Sequence, residues 1–193
     1  MKKRKLLLST LIALGLLTTM TGCGQDNKKG NTNNDKKTEE KNKMKGKCTA
    51  VDCMKQIEIN STIEQINEIT GVEGNLTNET KKIYEYDLGD EDKIIVEYGS
   101  SEVATIKAEF TRSKIADKNV DLSKSEELKA KVNAGINYEQ FKAEIGNVEG
   151  IIVEKSEDNT RYMWVSKKGG YIRANFRNRD NICTFFTGMT DRK

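Results

Sequence analysis

Histidine and proline are both absent from this 193-residue chain. Without histidine the chain has no residue of the usual general-base type, none of the triads built on it and no imidazole metal ligand. Lys, Asn and Ile are abundant, in keeping with AT-rich coding sequence, so a codon bias covers both absences. Cysteine is scarce, at four residues, and no C-x-x-C spacing occurs, so a thioredoxin-like redox motif is not supported. Three thiols beyond Cys23 without histidine make a poor zinc site. Asp90-Glu91-Asp92 lacks EF-hand spacing and reads as a turn. No cofactor fingerprint is present. The longest apolar stretch, Leu6 to Leu17, is broken by Ser9, Thr10 and Gly15. It falls short of the roughly 20 residues a membrane-spanning helix requires.

What is present begins with an address. Lys2, Lys3, Arg4 and Lys5 precede that apolar stretch, which ends in Met20-Thr21-Gly22-Cys23. A basic start, a short apolar middle and small residues before a cut form a secretory signal peptide over 1–22. The cysteine after Thr21-Gly22 resembles the lipobox of bacterial lipoproteins. That resemblance implies cleavage before Cys23, a diacylglyceryl thioether on its sulfur, and a protein anchored by lipid on the extracytoplasmic face of the cell membrane.

Charge divides by segment. The chain is +3 overall, but residues 1–22 hold four basic and no acidic side chains, so the remainder is −1. Residues 24–47 carry eight lysines and four acids and almost no apolar side chain. They cannot offset the entropy of ordering and read as a tether over 23–47, with a reach of roughly 27 Å. That leaves −5 for residues 48–193. A nucleic-acid partner calls for a clustered basic face on the domain itself, and none is evident.

Residues 48–193 suffice for one ordinary domain or two small ones. Their organising feature is an internal repeat. Glu64-Gln65-Ile66-Asn67-Glu68-Ile69-Thr70-Gly71 aligns with Glu139-Gln140-Phe141-Lys142-Ala143-Glu144-Ile145-Gly146, and Val72-Glu73-Gly74 recurs as Val148-Glu149-Gly150. Tyr84 and Tyr86 then meet Tyr162 and Trp164, Ile94 meets Ile172, and Tyr98 meets Phe176. Thr62 with Gln65 forms a capping-box pattern that Asn137 with Gln140 echoes, and Gly71 and Gly146 fall where a left-handed residue ends a short helix. Cys53 to Ile59 and Glu126 to Val132 read as the preceding helices. After Gly74 and Gly150 the period becomes two, giving strands at about 75–80, 83–88, 93–98 and 104–110, then 151–156, 161–166, 171–176 and 182–187. The expected fold is α+β: two tandem units over 48–113 and 126–193, joined by a linker at 114–125. Each unit is a helix–turn–helix followed by a four-stranded antiparallel sheet.

This order of turn, Thr/Asn cap, Glu-Gln, apolar residue and Gly before four strands resembles the repeat of the β-lactamase inhibitory protein family. The segment Asp117 to Leu128 is similar to that family's inter-repeat linker. The resemblance covers about 52–190 and implies two tandem units whose sheets form one concave surface that grips a partner protein. The family's founding member carries a disulfide within each repeat, and no such pair stands in either unit here. The resemblance therefore extends to the fold and not to lactamase inhibition.

Strand alternation assigns faces. Tyr84, Tyr86, Leu88, Ile94, Val96, Tyr98, Ile106, Ala108 and Phe110 form the core face of unit one. Tyr162, Trp164, Ile172, Ala174, Phe176, Ile182 and Phe186 form that of unit two. The opposite face carries Glu85, Asp87, Ile95, Glu97, Lys107 and Glu109 in unit one. In unit two it carries Arg161, Met163, Val165, Tyr171, Arg173, Asn175, Cys183 and Phe185. Met, Tyr, Phe and Arg together have the composition of an interface hot spot. Met163, Tyr171, Arg173 and Phe185, with Arg161 and Glu97, are thus the expected partner-binding residues, unless another element covers this face. Cys48 and Cys53 are close enough for a clip at the base of the tether, with Cys183 free; alternatively Cys183 pairs with one of them. The sequence points to a non-enzymatic, lipid-anchored module that binds a protein or another envelope component, with no cofactor and no metal. Two alternatives stand beside it: an envelope hydrolase using the unit-one carboxylates, which would need two carboxyls about 5–10 Å apart, and a structural lipoprotein whose β face mediates self-association.

Overall fold

The computed structural model describes residues 44–99 and 103–191; the signal segment, Cys23 and the tether up to residue 43 lie outside the described residues. Residues 45–47, assigned to the tether by composition, are hydrogen-bonded to the domain. Lys45 and Gly46 donate to the Leu88 carbonyl and Lys47 to that of Thr70.

Short polar caps set three of the four described helices, the one over Ser125–Asn133 being the exception. The first, α1 (Ala50–Gln56), begins at Thr49, whose hydroxyl accepts from the Asp52 amide. It therefore lies three residues before the position expected from Cys53 to Ile59, because the cap at Thr49 fixes its start and Ile57 turns extended. The second, α2 (Ile63–Thr70), carries the complete Thr62/Gln65 capping box and ends at Gly71, which has φ +72°. Strands β1 (Asn75–Asn78), β2 (Ile83–Gly89), β3 (Asp92–Tyr98) and β4 (Val103–Glu109) follow. A 3-10 turn over Arg112–Ile115 leads into the two-residue strand β5 (Ala116–Asp117). Then come α3 (Ser125–Asn133) and α4 (Tyr138–Glu144), the latter opened by a complete Asn137/Gln140 box. Strands β6 (Ile151–Ser156), β7 (Asn159–Ser166), β8 (Tyr171–Arg177) and β9 (Cys183–Met189) close the order.

All nine strands belong to one sheet, ordered β1-β2-β3-β4-β6-β7-β8-β9 with antiparallel neighbours. The exception is β5, which runs parallel to β7 through Ala116 opposite Val165 and Asp117 opposite Ser166. It takes the stretch of β7 that β6 leaves free, since β6 pairs with β7 only as far as Met163. The middle of the sheet is the β4–β6 pairing, Thr105 to Ser156 and Lys107 to Glu154. There Lys155 reaches back to the Ile57 carbonyl at 2.8 Å, placing a cation at the C-terminal end of α1.

The helices cover one face of the sheet. Ala50, Met54, Ile57, Ile66, Tyr86, Leu88, Ile94, Val96 and Ile106 form one buried cluster. Leu122, Leu128, Phe141, Trp164, Ile172, Phe176 and Cys183 belong to a second. Trp164 is 1% exposed, lies 5.3 Å from the Phe141 ring, and donates its indole N–H to the Val148 carbonyl. A disulfide joins Cys48 to Cys53 and Cys183 is a free thiol, so the first of the two cysteine arrangements holds.

Candidate functional site

The face turned away from the helices is a grid set by strand register. One continuous cross-strand row runs Glu85, Ile95, Lys107, Glu154, Arg161, Asn175, Phe185 over seven strands. The neighbouring rows are Met163, Arg173, Thr187 on β7–β9 and then Val165, Tyr171 on β7–β8. Directly opposed residues of antiparallel strands share a face, so these rows meet on one surface.

Most charges on the grid are matched. Lys93 meets Glu85 at 2.7 Å, and that hydrogen bond raises the lysine pKa. Asp87 accepts from Lys45, which holds its carboxyl below the usual range. Arg161 donates from Nη1 to Glu154 and, at 2.6 Å, from Nε to the Asn175 amide oxygen.

Two arginines are different. The Arg173 guanidinium lies 5.6 Å and that of Arg112 4.3 Å from the centroid of the Tyr171 ring. Among the described residues neither has a carboxylate partner, and the Arg173 Nε is buried with no hydrogen bond. Arg112 is brought there by its neighbour. Lys114 is clamped by Asp92 at 2.6 Å and Asp90 at 3.0 Å. Burial opposes the Lys114 charge, yet the two carboxylates outweigh it and raise the lysine pKa. Asp92 is itself buried and also accepts from the Ala50 amide at 2.9 Å, so the 3-10 turn is tied to the start of α1.

That turn corrects part of the expected site. Met163 and Val165 are 5% and 3% exposed. With Val153 they form a third apolar cluster, against which Phe110, Ile115, Ala116 and Tyr171 pack. Met163 is thus a core residue beneath the surface, and Tyr171 is half-buried above it. Cys183, expected on this face, points into the second core, because the register slips between Asn175 and Phe176 and places Cys183 opposite Phe176. Phe185 remains outside at 59% exposure, and Arg161 and Arg173 are partly buried on the face as expected. Glu97 shares the face but stands on β3, three strands and so about 14 Å from β7. The structure does not bring it to the arginines.

Arg112 is the residue that alternation missed. It sits in a connection with no period, where only tertiary pairing of β5 with β7 decides its place. A groove of about 250 Å³ runs beside the arginines, floored by Val153 and Met163 and walled by Lys107, Glu154, Arg161 and Arg173. A separate cavity of about 680 Å³ lies between the start of α2 and the β1–β2 hairpin, lined by Ile63, Leu76, Tyr84 and Tyr98. Burial pushes the Tyr98 hydroxyl up to about 12. Among the described residues no group of three Cys, Asp or Glu is placed to hold a metal ion.

Two guanidinium forks beside an aromatic ring present planar N–H pairs that suit a carboxylate arriving from outside. The neighbouring exposed phenyl ring offers apolar contact. Compared with known protein families and with curated proteins, the chain matches none of either.

Proposed function

We propose that this protein is a lipid-anchored, non-enzymatic binding module on the extracytoplasmic face of a bacterial cell membrane. Its two αα-ββββ segments, 50–109 and 125–189, are read as tandem units of one duplicated motif, similar to the repeat of the β-lactamase inhibitory protein family. The partner is a protein that presents an acidic segment to the open face of β7 and β8, with Arg112, Tyr171 and Arg173 at the centre and Phe185 beside them. The observation that carries this reading is the pair of guanidinium groups on one tyrosine ring, without a carboxylate partner among the described residues, on a face where Arg161 in the neighbouring row is already matched. Such arginine and tyrosine clusters are the residue types that dominate interface energies.

The hydrolase alternative gains nothing from the carboxylates. Glu85 and Asp87 each meet a lysine, and the Asp87 carboxyl is shifted down, whereas a general acid at neutral pH needs its pKa shifted up.

The test compares wild-type protein with the Arg112→Ala/Arg173→Ala variant as bait in detergent-solubilised envelope extract, followed by titration of the captured partner. The proposal expects the variant to lose at least about tenfold in affinity with an unchanged unfolding midpoint. Equal capture by both baits would place the site elsewhere.

A further inference from the structure

Among the described residues, one edge of the sheet has no further strand against it. Strand β9 ends the sheet order and has β8 as its sole strand partner among the described residues. Its sequence, Cys-Thr-Phe-Phe-Thr-Gly-Met, contains no charge and no proline in a chain that is 33% charged. Natural edge strands are usually short, charged or interrupted, because a row of unpaired N–H and C=O groups templates another strand. The opposite edge obeys that rule: β1 has four residues and an irregular register with β2. On β9 the Cys183 amide is taken by the Ile136 carbonyl; α3 lies beside the strand, but among the described residues no other backbone hydrogen bond from outside the β8 ladder reaches it.

The ladder fixes which groups are open. Ser166 donates to Gly170 at the β7–β8 turn, so Ile172 and Ala174 turn their backbone groups to β7, and Tyr171, Arg173 and Asn175 turn theirs to β9. Their partners Phe185, Thr187 and Met189 therefore bond inward, and the N–H and C=O groups of Phe186 and Gly188 point outward. These two residues also line a cleft of about 280 Å³ between α3 and the edge. Ser125 stands in that cleft at 9% exposure, its hydroxyl buried without a hydrogen-bond partner. The rim carries one Glu126 and one Lys129, so its charge sums to zero.

The geometry points to a second copy of this chain as the occupant, with β9 pairing antiparallel to itself about a two-fold axis through Thr187. That register lets Phe186 of each copy exchange both hydrogen bonds with Gly188 of the other. It sets Phe186, whose ring packs on its own core 6.0 Å from that of Phe141, opposite the strand position that lacks a side chain, and aromatic residues opposite strand glycines are known to compensate them. Thr187 then faces its own copy, a favourable cross-strand pair. An uncharged strand with a neutral rim complements itself under two-fold symmetry, as an isologous interface requires. The pairing would place two copies of the arginine–tyrosine face on one continuous sheet, and it does not depend on what that face binds.

Full-length protein carrying Thr187→Cys, in membranes treated with a mild oxidant, tests this directly. Opposed non-hydrogen-bonded residues have Cα atoms about 4.5 Å apart, within disulfide range. A reducible dimer is expected to be the main product. Thr184→Cys should give none, since the two copies of that position would be roughly 20 Å apart. Thr77→Cys on β1 should give none either. Absence of a dimer from Thr187→Cys, or equal dimer from Thr77→Cys, overturns the proposal. Dimer from Thr184→Cys in preference to Thr187→Cys overturns the register.

Discussion

Burial pushes the Cys183 thiol from an ordinary value of 9.0 up to about 11 and, at Tyr98, a phenol from 10.0 up to about 12. Both groups hold their protons more tightly folded than unfolded. Their contribution is therefore complete below the unfolded values and is lost as pH rises through the folded ones. The urea midpoint is expected to be flat between about pH 6 and 8 and to fall steadily from about pH 9 upward. Cys183→Ala should remove the part of that fall between pH 9 and 11; an unchanged slope in the variant would exclude the thiol as its source. Single residues also show what alternation reveals. Tyr86, Ile94, Ile106, Trp164 and Phe176 all face the helices as their parity requires. Parity failed at Cys183, where one slipped register reversed the side-chain direction, and at Met163, where it gave the right face but could not reveal the turn that covers it.

At the scale of elements, the caps were legible because they are local. Thr62 with Gln65 and Asn137 with Gln140 each close a capping box within four residues. The glycines that follow differ in a way sequence does not show. Gly146 and Gly169 have φ +99° and +92°, so alanine is strained at either. A Cβ at Gly146 would fall 2.0 Å from the Asn119 carbonyl oxygen, whereas at Gly169 it meets nothing within 4 Å. Gly169→Ala should cost about 1 kcal/mol, and Gly146→Ala about 1–3 kcal/mol more, because a backbone must move. Equal shifts in the urea midpoint would show that the approach of the 119–121 segment to α4 is not tight. Helix α1 begins three residues before the expected Cys53, because its start is set by the Thr49 cap.

At the scale of the whole molecule, the proposed attachment to the membrane is tested separately from the folded domain. Among the described residues no helix is long and apolar enough to cross a membrane. If Cys23 carries the lipid, Cys23→Ala should leave the protein soluble or held as an uncleaved precursor, since two acyl chains are what make anchoring stable. A processed protein that still resists carbonate washing would refute the lipobox reading. That reading rests on a linear motif, and nothing in the fold bears on it.

The sequence by itself determined the α+β content, the order of helices and strands and the side of the sheet that meets the helices. All three follow from periodicity, caps and turn residues acting over a few positions. Tertiary structure alone decided the rest. It joined β4 to β6 into one sheet, returned the 112–117 segment across β7, and used the buried Asp92 carboxylate to hold Lys114 and so bring Arg112 against Tyr171. Those contacts link residues tens of positions apart through a buried charge and a short parallel strand, neither of which leaves a period in the chain.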